Sequence, residues 1–311
     1  MQAIRVHERG GPEGFVLESA PDPEPATGDA IIRVRAASFT PTELEWPSTW
    51  VDRLGRDRCP VIPGHEVSGI VEALGYGTMG VAIGDEVYGV TDWYRDGTFA
   101  ELVAVEARNL ALKPATLTHA MAAAVPLAAL TAWQALFDLG QLQSGWTVVI
   151  HGAAGGVGTY AVQLAHAAGA RVVATGRSAE GRSVAAELGA DLFVNLREER
   201  LEQVVSNVDL VFDLVGAPVH ESSVAVLKPG GALVSVVTSL DAALARRAGV
   251  RSALFVVEPN HAELVEIGRR VDAGELKVFV GSVTPLAEAS TAFSTKQRGG
   301  STGKAVIQVA A

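Results

Sequence analysis

Two rhythms of apolar and polar positions divide the chain. Up to about residue 118, short alternating segments at 15–17, 30–35, 67–71, 86–90 and 99–103 are broken by Gly and Pro. Strands of this length and spacing predict a compact, mostly antiparallel β domain. Residues 20–25, Ala-Pro-Asp-Pro-Glu-Pro, predict a stiff surface connection, because each proline fixes φ and withholds a donor. After about residue 119 the pattern becomes apolar strand, turn, helix. Aliphatic strands at 147–150, 171–174, 192–194, 210–213 and 232–237 alternate with helical stretches at 157–168, 181–188 and 219–227, and turn signals fall at Gly169, Gly189 and Pro229-Gly230-Gly231. Near-continuous aliphatic strands between helices predict a parallel sheet covered on both faces, so the fold class is α/β with a doubly wound domain. Residues 303–309 read as a last strand that could close either domain.

Composition narrows the function classes. At 311 residues, with 48% hydrophobic and 19% charged positions, the chain is long enough for two packed domains. A net charge of −10 argues against a nucleic-acid or anionic-membrane surface and leaves small molecules as the expected partners. Cys59 is the single cysteine, so neither an intrachain disulfide nor a cysteine-rich zinc lobe can form. The opening residues lack the apolar run of a secretory signal, and a cytoplasmic protein is expected. Residues 120–137 are alanine-rich but hold Pro126 and Gln134, which predicts a buried or interdomain helix rather than a membrane span.

The chemistry concentrates at His151-Gly152-Ala153-Ala154-Gly155-Gly156-Val157-Gly158, which follows an aliphatic strand and opens a helix. Read as G-x-G-x-x-G, the pattern holds at Gly155 and Gly158, with Ala153 in the first glycine's place. Backbone N–H groups at such a helix start face a pyrophosphate, and small residues let its oxygens come close. A tight turn that binds nothing would need fewer glycines. Cofactor choice is set after the next strand, where a carboxylate would hold the ribose 2′-hydroxyl of NAD. Here Gly176-Arg177-Ser178 follows, and no carboxylate occurs until Glu180. Arg177 can pair with a 2′-phosphate and Ser178 can donate to it, so NADP(H) is the expected cofactor. Arg182 is either a second contact or an exposed helix arginine.

Several further segments, in order, are Pro63-Gly64-His65-Glu66-Val67-Ser68-Gly69, Gly84-Asp85-Glu86-Val87, Gly97-Thr98-Phe99-Ala100-Glu101 and Leu130-Thr131-Ala132-Trp133-Gln134-Ala135-Leu136. With the glycine turn they resemble the medium-chain dehydrogenase/reductase superfamily, in its zinc-free quinone oxidoreductase and enoyl reductase branch, over nearly the whole chain. The resemblance implies a GroES-like β domain from residues 1–118 and 290–311, a Rossmann domain at 119–289, and an active site in the cleft. It implies cofactor contacts at Thr40 and Thr131, along the glycine turn at Ala153, Gly155, Gly156, Val157 and Gly158, and at Gly176, Arg177 and Ser178. It also implies contacts at Leu214, Val215 and Gly216, then Val237 and Thr238, and Phe255 and Val256. Each of these segments has a plain core-strand or turn reading as well.

Zinc members of the superfamily place a cysteine ligand early. The corresponding position falls near Thr40, and Cys59 lies too far along to replace it. Catalytic zinc generally needs three protein ligands, and His65-Glu66 offers a partial set, so these two read as structural remnants and no metal is expected. Without a Lewis acid an alkoxide is poorly stabilised, whereas reduction of a conjugated C=C bond or a quinone needs a well-placed hydride, modest carbonyl polarisation and a proton. Where many relatives carry a Ser-x-x-Lys phosphate signature this chain has Ser178-Ala179-Glu180-Gly181, and Arg177 is expected to compensate. Trp46, Trp50, Trp93 and Tyr94 lie in loop-like stretches and could wall a pocket for a flat unsaturated carbonyl compound, or simply pack their loops. Tyr94 alone of these has an ionisable hydroxyl, which makes it the candidate proton donor. The expectation is an NADPH-dependent quinone or enone reductase. The alternatives are a carbonyl or alcohol dehydrogenase with a weak metal, and a non-catalytic NADPH-binding protein. Family habit adds a homodimer through the sheet edge near residues 253–256.

Overall fold

The computed structural model describes residues 1–299 and 302–310. The chain forms two compact units, one of residues 1–127 and 259–311, the other of residues 128–258.

The first unit carries the predicted β domain. Its main sheet runs in the order Val280–Pro285, Lys304–Gln308, Asp29–Ser38, Glu66–Leu74, Glu86–Val90, Leu110–Leu112, and Leu102–Glu106 also pairs with Asp29–Ser38. All these pairings are antiparallel except the first. Gln2–Val6 and Phe15–Ser19 make a separate antiparallel pair. Residues 20–25 form the expected irregular connection. The core is aromatic at its centre, with Phe39 stacked on Phe293 at 4.6 Å between ring centroids and set edge-on to Phe99 at 5.8 Å. Arg95 clamps the buried Asp29 carboxylate through both guanidinium nitrogens, at 2.9 and 2.6 Å, which ties the loop after Glu86–Val90 to the start of the long central strand.

Sequence reading puts the unit boundaries at 118 and 290, and the structure moves both. Helix His119–Ala123 lies on the first unit's sheet, with Ala123 and Ala124 packed against Ala36 and Val306. Helix His261–Asp272 belongs there too. Tyr88 donates its hydroxyl to Leu264 O at 2.6 Å, and Asp272 accepts from the amides of Ala115 and Thr116. The last strand closes this unit by pairing with Asp29–Ser38. The alanine-rich stretch is divided among His119–Ala123, Pro126–Trp133 and a π-helical Gln134–Leu139, and no described helix is long and apolar enough to cross a membrane.

The second unit is a six-stranded, all-parallel sheet in the order Leu192–Asn195, Arg171–Gly176, Thr147–His151, Val208–Asp213, Leu227–Ser235, Arg251–Leu254. Strand order reverses between Thr147–His151 and Val208–Asp213, and in open α/β sheets ligands bind beyond the strand carboxyl ends at such a switch point. Val148, Val149, Ile150, Val172, Val173 and Val211 are fully buried, as continuous aliphatic strands require.

Candidate functional site

At the switch point the glycine turn joins Thr147–His151 to helix Gly158–Ala167, as the sequence predicts. The helix has no side-chain cap; the amides of Thr159 and Tyr160 donate to Gly155 O and Val157 O, and those of Gly156, Val157 and Gly158 are left to an outside acceptor. Residues 154–157 are half-buried, while Ala153 and Gly158 are buried. Gly158 admits no side chain, because a Cβ there would lie 2.2 Å from Gly152 O. Unpartnered backbone amides and a turn too close-packed for side chains are the features a pyrophosphate needs.

Next to the cradle, Arg171–Gly176 ends at Arg177 and Ser178. Ser178 caps helix Ala179–Glu187, its Oγ accepting from Gly181 N at 3.0 Å, and the Cβ position of Gly181 lies 3.4 Å from Ala154 of the glycine turn. Arg177 is exposed and makes no ion pair among the described residues. Arg182 is engaged, lying over the Phe193 ring at 5.0 Å and 3.7 Å from Glu199. The side chain left for a phosphate is therefore Arg177.

Across the switch point lie the other expected contacts. A Cβ on Gly152 would sit 3.5 Å from Leu214 Cβ, and one on Gly216 2.9 Å from Val237 Cγ1, so residues 214–216 and 237–238 line the same edge. Leu214 and Val215 are half-buried, Gly216 is buried, and Val237 and Thr238 are exposed. Thr131 is buried in Pro126–Trp133, Phe255 is half-buried and Val256 is 72% exposed. Two residues to which the sequence assigned no role in the site hold these segments. Gln134 grips the Glu258 backbone with both ends of its amide, at 2.8 and 3.0 Å. Asp213 accepts from the amides of Val215 and Gly216, each at 2.8 Å.

In the first unit a second cluster forms. The His65 ring lies 5.6 Å from Trp46 and 5.1 Å from Trp93, and the two indoles meet edge-on at 5.7 Å. His65 Nδ1 is 3.4 Å from Glu43 Oε2, and the fully buried Glu43 also accepts from Gly64 N at 2.7 Å and Thr40 N at 3.2 Å. Thr40 thus joins this group. The other two aromatic candidates stand apart from it. Trp50 is 5% exposed and donates its indole N–H to Leu44 O at 2.8 Å, which makes it part of the core. Tyr94 is half-buried, with Arg53 over its ring at 4.8 Å.

The donor set at His65-Glu66 does not fit a catalytic zinc. Glu66 is fully buried, accepts from Leu127 N at 3.1 Å and is ion-paired with Lys304, whose ammonium also donates to Phe39 O at 3.0 Å. Burial pushes the Glu66 carboxyl up, against the pull of Lys304. A hydroxyl stands at Thr40, and no three His, Cys, Asp or Glu side chains converge among the described residues.

An antiparallel β unit joined to a parallel-sheet unit with a glycine-rich switch point defines a nucleotide-dependent oxidoreductase architecture, and comparison with known proteins agrees. Residues 26–115 match the alcohol dehydrogenase GroES-like domain model and residues 188–307 the zinc-binding dehydrogenase model. The chain is 33% identical to 2-methylene-furan-3-one reductase of Solanum lycopersicum, covering 99% of this chain and 79% of the relative. It is 31% identical, over the same shares, to the chloroplastic NADPH-dependent alkenal/one oxidoreductase of Arabidopsis thaliana. The quinone oxidoreductase structure from Coxiella burnetii superimposes with a TM-score of 0.92 at 32% identity, covering 99% of both chains. The chain belongs to the medium-chain dehydrogenase/reductase superfamily, in its quinone oxidoreductase branch.

Proposed function

We propose that this protein reduces quinones or α,β-unsaturated carbonyl compounds with NADPH and without a metal. The observation that carries the reading is Arg177, exposed and without an ion pair among the described residues, beside the helix-capping Ser178 and the uncapped helix of the glycine turn. A guanidinium and a hydroxyl there match a 2′-phosphate and leave no carboxylate to hold a free 2′-hydroxyl. The names of the relatives from tomato and Arabidopsis, which act on a methylene-furanone and on alkenals and alkenones, support the acceptor class.

Bound NADPH supplies the hydride. The second unit's part is to hold the cofactor at the glycine turn and at residues 214–216 and 237–238; in the first unit, Trp46 and Trp93 are the candidate wall for a flat acceptor. A proton must also reach the acceptor. His65, held by Glu43 and flanked by both indoles, is better placed to give it than Tyr94, whose ring faces Arg53. With Glu66 engaged by Lys304 and a hydroxyl at Thr40, polarisation of the carbonyl falls to such donors rather than to zinc. The exposed edge strand Arg251–Leu254, followed by Val256, is the surface for a homodimer.

NADPH and NADH oxidation followed in parallel against quinones, enones and saturated aldehydes, on protein assayed for bound metal, tests the reading. Turnover of quinones or enones by metal-free enzyme, faster with NADPH, is expected. Turnover confined to aldehydes or dependent on added zinc would overturn it.

A further inference from the structure

Beneath the carboxyl edge of the second unit's sheet runs a chain of buried polar side chains that the reaction as proposed does not use. It starts at Thr175, next to the Gly176-Arg177-Ser178 segment, whose Oγ1 is 2.8 Å from His151 Nδ1. His151 Nε2 is 2.9 Å from Ser223 Oγ. Ser223 lies on helix His220–Val226, and His220 of the same helix reaches Asp213 Oδ2 at 3.1 Å. Asp213 Oδ2 also accepts from Ser235 Oγ at 2.9 Å, and Ser235 Oγ accepts from the amides of Val237 and Thr238 at 3.2 and 3.4 Å. Asp213, Ser235, His151 and Ser223 are fully buried.

Asp213 is the hub. Its Oδ1 takes the Val215 and Gly216 amides, and its Oδ2, through Ser235, takes those of Val237 and Thr238. Gly216 sits at φ +92°, a left-handed conformation that an L side chain rarely adopts, so the turn must be held by its hydrogen bonds and by the absence of a Cβ. We infer that Asp213 is a positioning residue, acting through Ser235, that sets residues 214–216 and 237–238 in register at the nicotinamide end of the cofactor site. This rests on the proposal that the switch point binds NADPH. Only an ionised carboxylate accepts on both sides. An asparagine must turn its NH₂ either to the two backbone amides, which are themselves donors, or to the side of His220 Nε2 and Ser235 Oγ, where His220 can accept but Ser235, which already accepts from two amides, loses the acceptor for its own proton. One loop or the other is released.

The test separates the two ends of the cofactor. Adenosine 2′,5′-bisphosphate probes the Arg177 end alone, and NADPH probes both. Asp213→Asn and Ser235→Ala are expected to bind the bisphosphate within about twofold of wild type while kcat falls on the order of tenfold to a hundredfold, the scale on which small misplacement acts. Ser235→Ala, which keeps the 214–216 turn, carries the test alone if Asp213→Asn does not fold. Wild-type kcat in both variants, or equal loss of affinity for the bisphosphate and NADPH, would overturn the inference. A wild-type protein that binds neither probe would overturn the cofactor reading itself and this inference with it.

Discussion

Replacing Lys304 with methionine isolates the buried pair that takes up Glu66. The methionine fills most of the same volume but leaves a carboxylate that is 0% exposed without its cation, held by Leu127 N and the Ser38 hydroxyl. Removing one partner of a buried ion pair costs about 3–5 kcal/mol, whereas replacing both by neutral groups of similar shape is close to neutral. Lys304→Met should therefore lose about that much in urea unfolding at pH 8, and Glu66→Gln combined with Lys304→Met should recover most of it, since the glutamine carbonyl still accepts from Leu127. The deficit should depend on pH in a defined direction. Burial raises the Glu66 carboxyl in the folded state, and loss of Lys304 raises it further. Between the ordinary carboxylate pKa and the raised one, the folded state binds the extra proton, so the variant loses stability as pH rises through that window and approaches wild type below it. A single variant within about 1 kcal/mol of wild type at pH 8, or a double variant no better than the single, would refute this account of the site.

Three other outcomes follow from particular contacts. Arg177→Glu should lower kcat/KM for NADPH by about 10- to 100-fold while leaving NADH unchanged, because one charge-assisted contact is lost and a repulsion added; an equal effect on both cofactors would place Arg177 away from the 2′-phosphate. Gly158→Ala forces a Cβ to within 2.2 Å of Gly152 O, so the turn must shift; thermal melts should show a loss of about 1–3 kcal/mol, with NADPH affinity, read by cofactor fluorescence, falling alongside. Burial lowers the His151 imidazole from 6.5 to about 4, so the unfolded state binds the proton first and stability falls as pH drops through that interval; urea melts at pH 7.5 and 5 should show a slope that His151→Gln reduces, the remainder including His119, which burial also lowers.

The parts of the site legible in sequence are those whose meaning is local. The glycine turn after an aliphatic strand and the Arg177-Ser178 pair, with Ser178 three residues ahead of the amide it caps, need only neighbouring positions, and Gly181 of the capped helix lies beside Ala154 of the turn. Residues whose partners lie far along the chain were not legible. Gln134 meets Glu258 across 124 positions, and Asp213 reads as the end of a strand until Ser235 and His220 come beside it. Trp46 and Trp50 look alike in sequence, yet Trp50 turns into the core because its N–H finds Leu44 O, while Trp46 meets His65. The unit boundaries shifted for the same reason. The apolar face of His261–Asp272 could cover either sheet, and contacts such as Tyr88 with Leu264 decide which.

The most direct test of the central claim is steady-state reduction of an alkenone by protein stripped of metal with a chelator, with NADPH and NADH compared in the same preparation. Undiminished turnover after stripping is expected, with a clear preference for NADPH that Arg177→Glu removes. Activity lost on stripping and restored by zinc, or a preference for NADH, would contradict it.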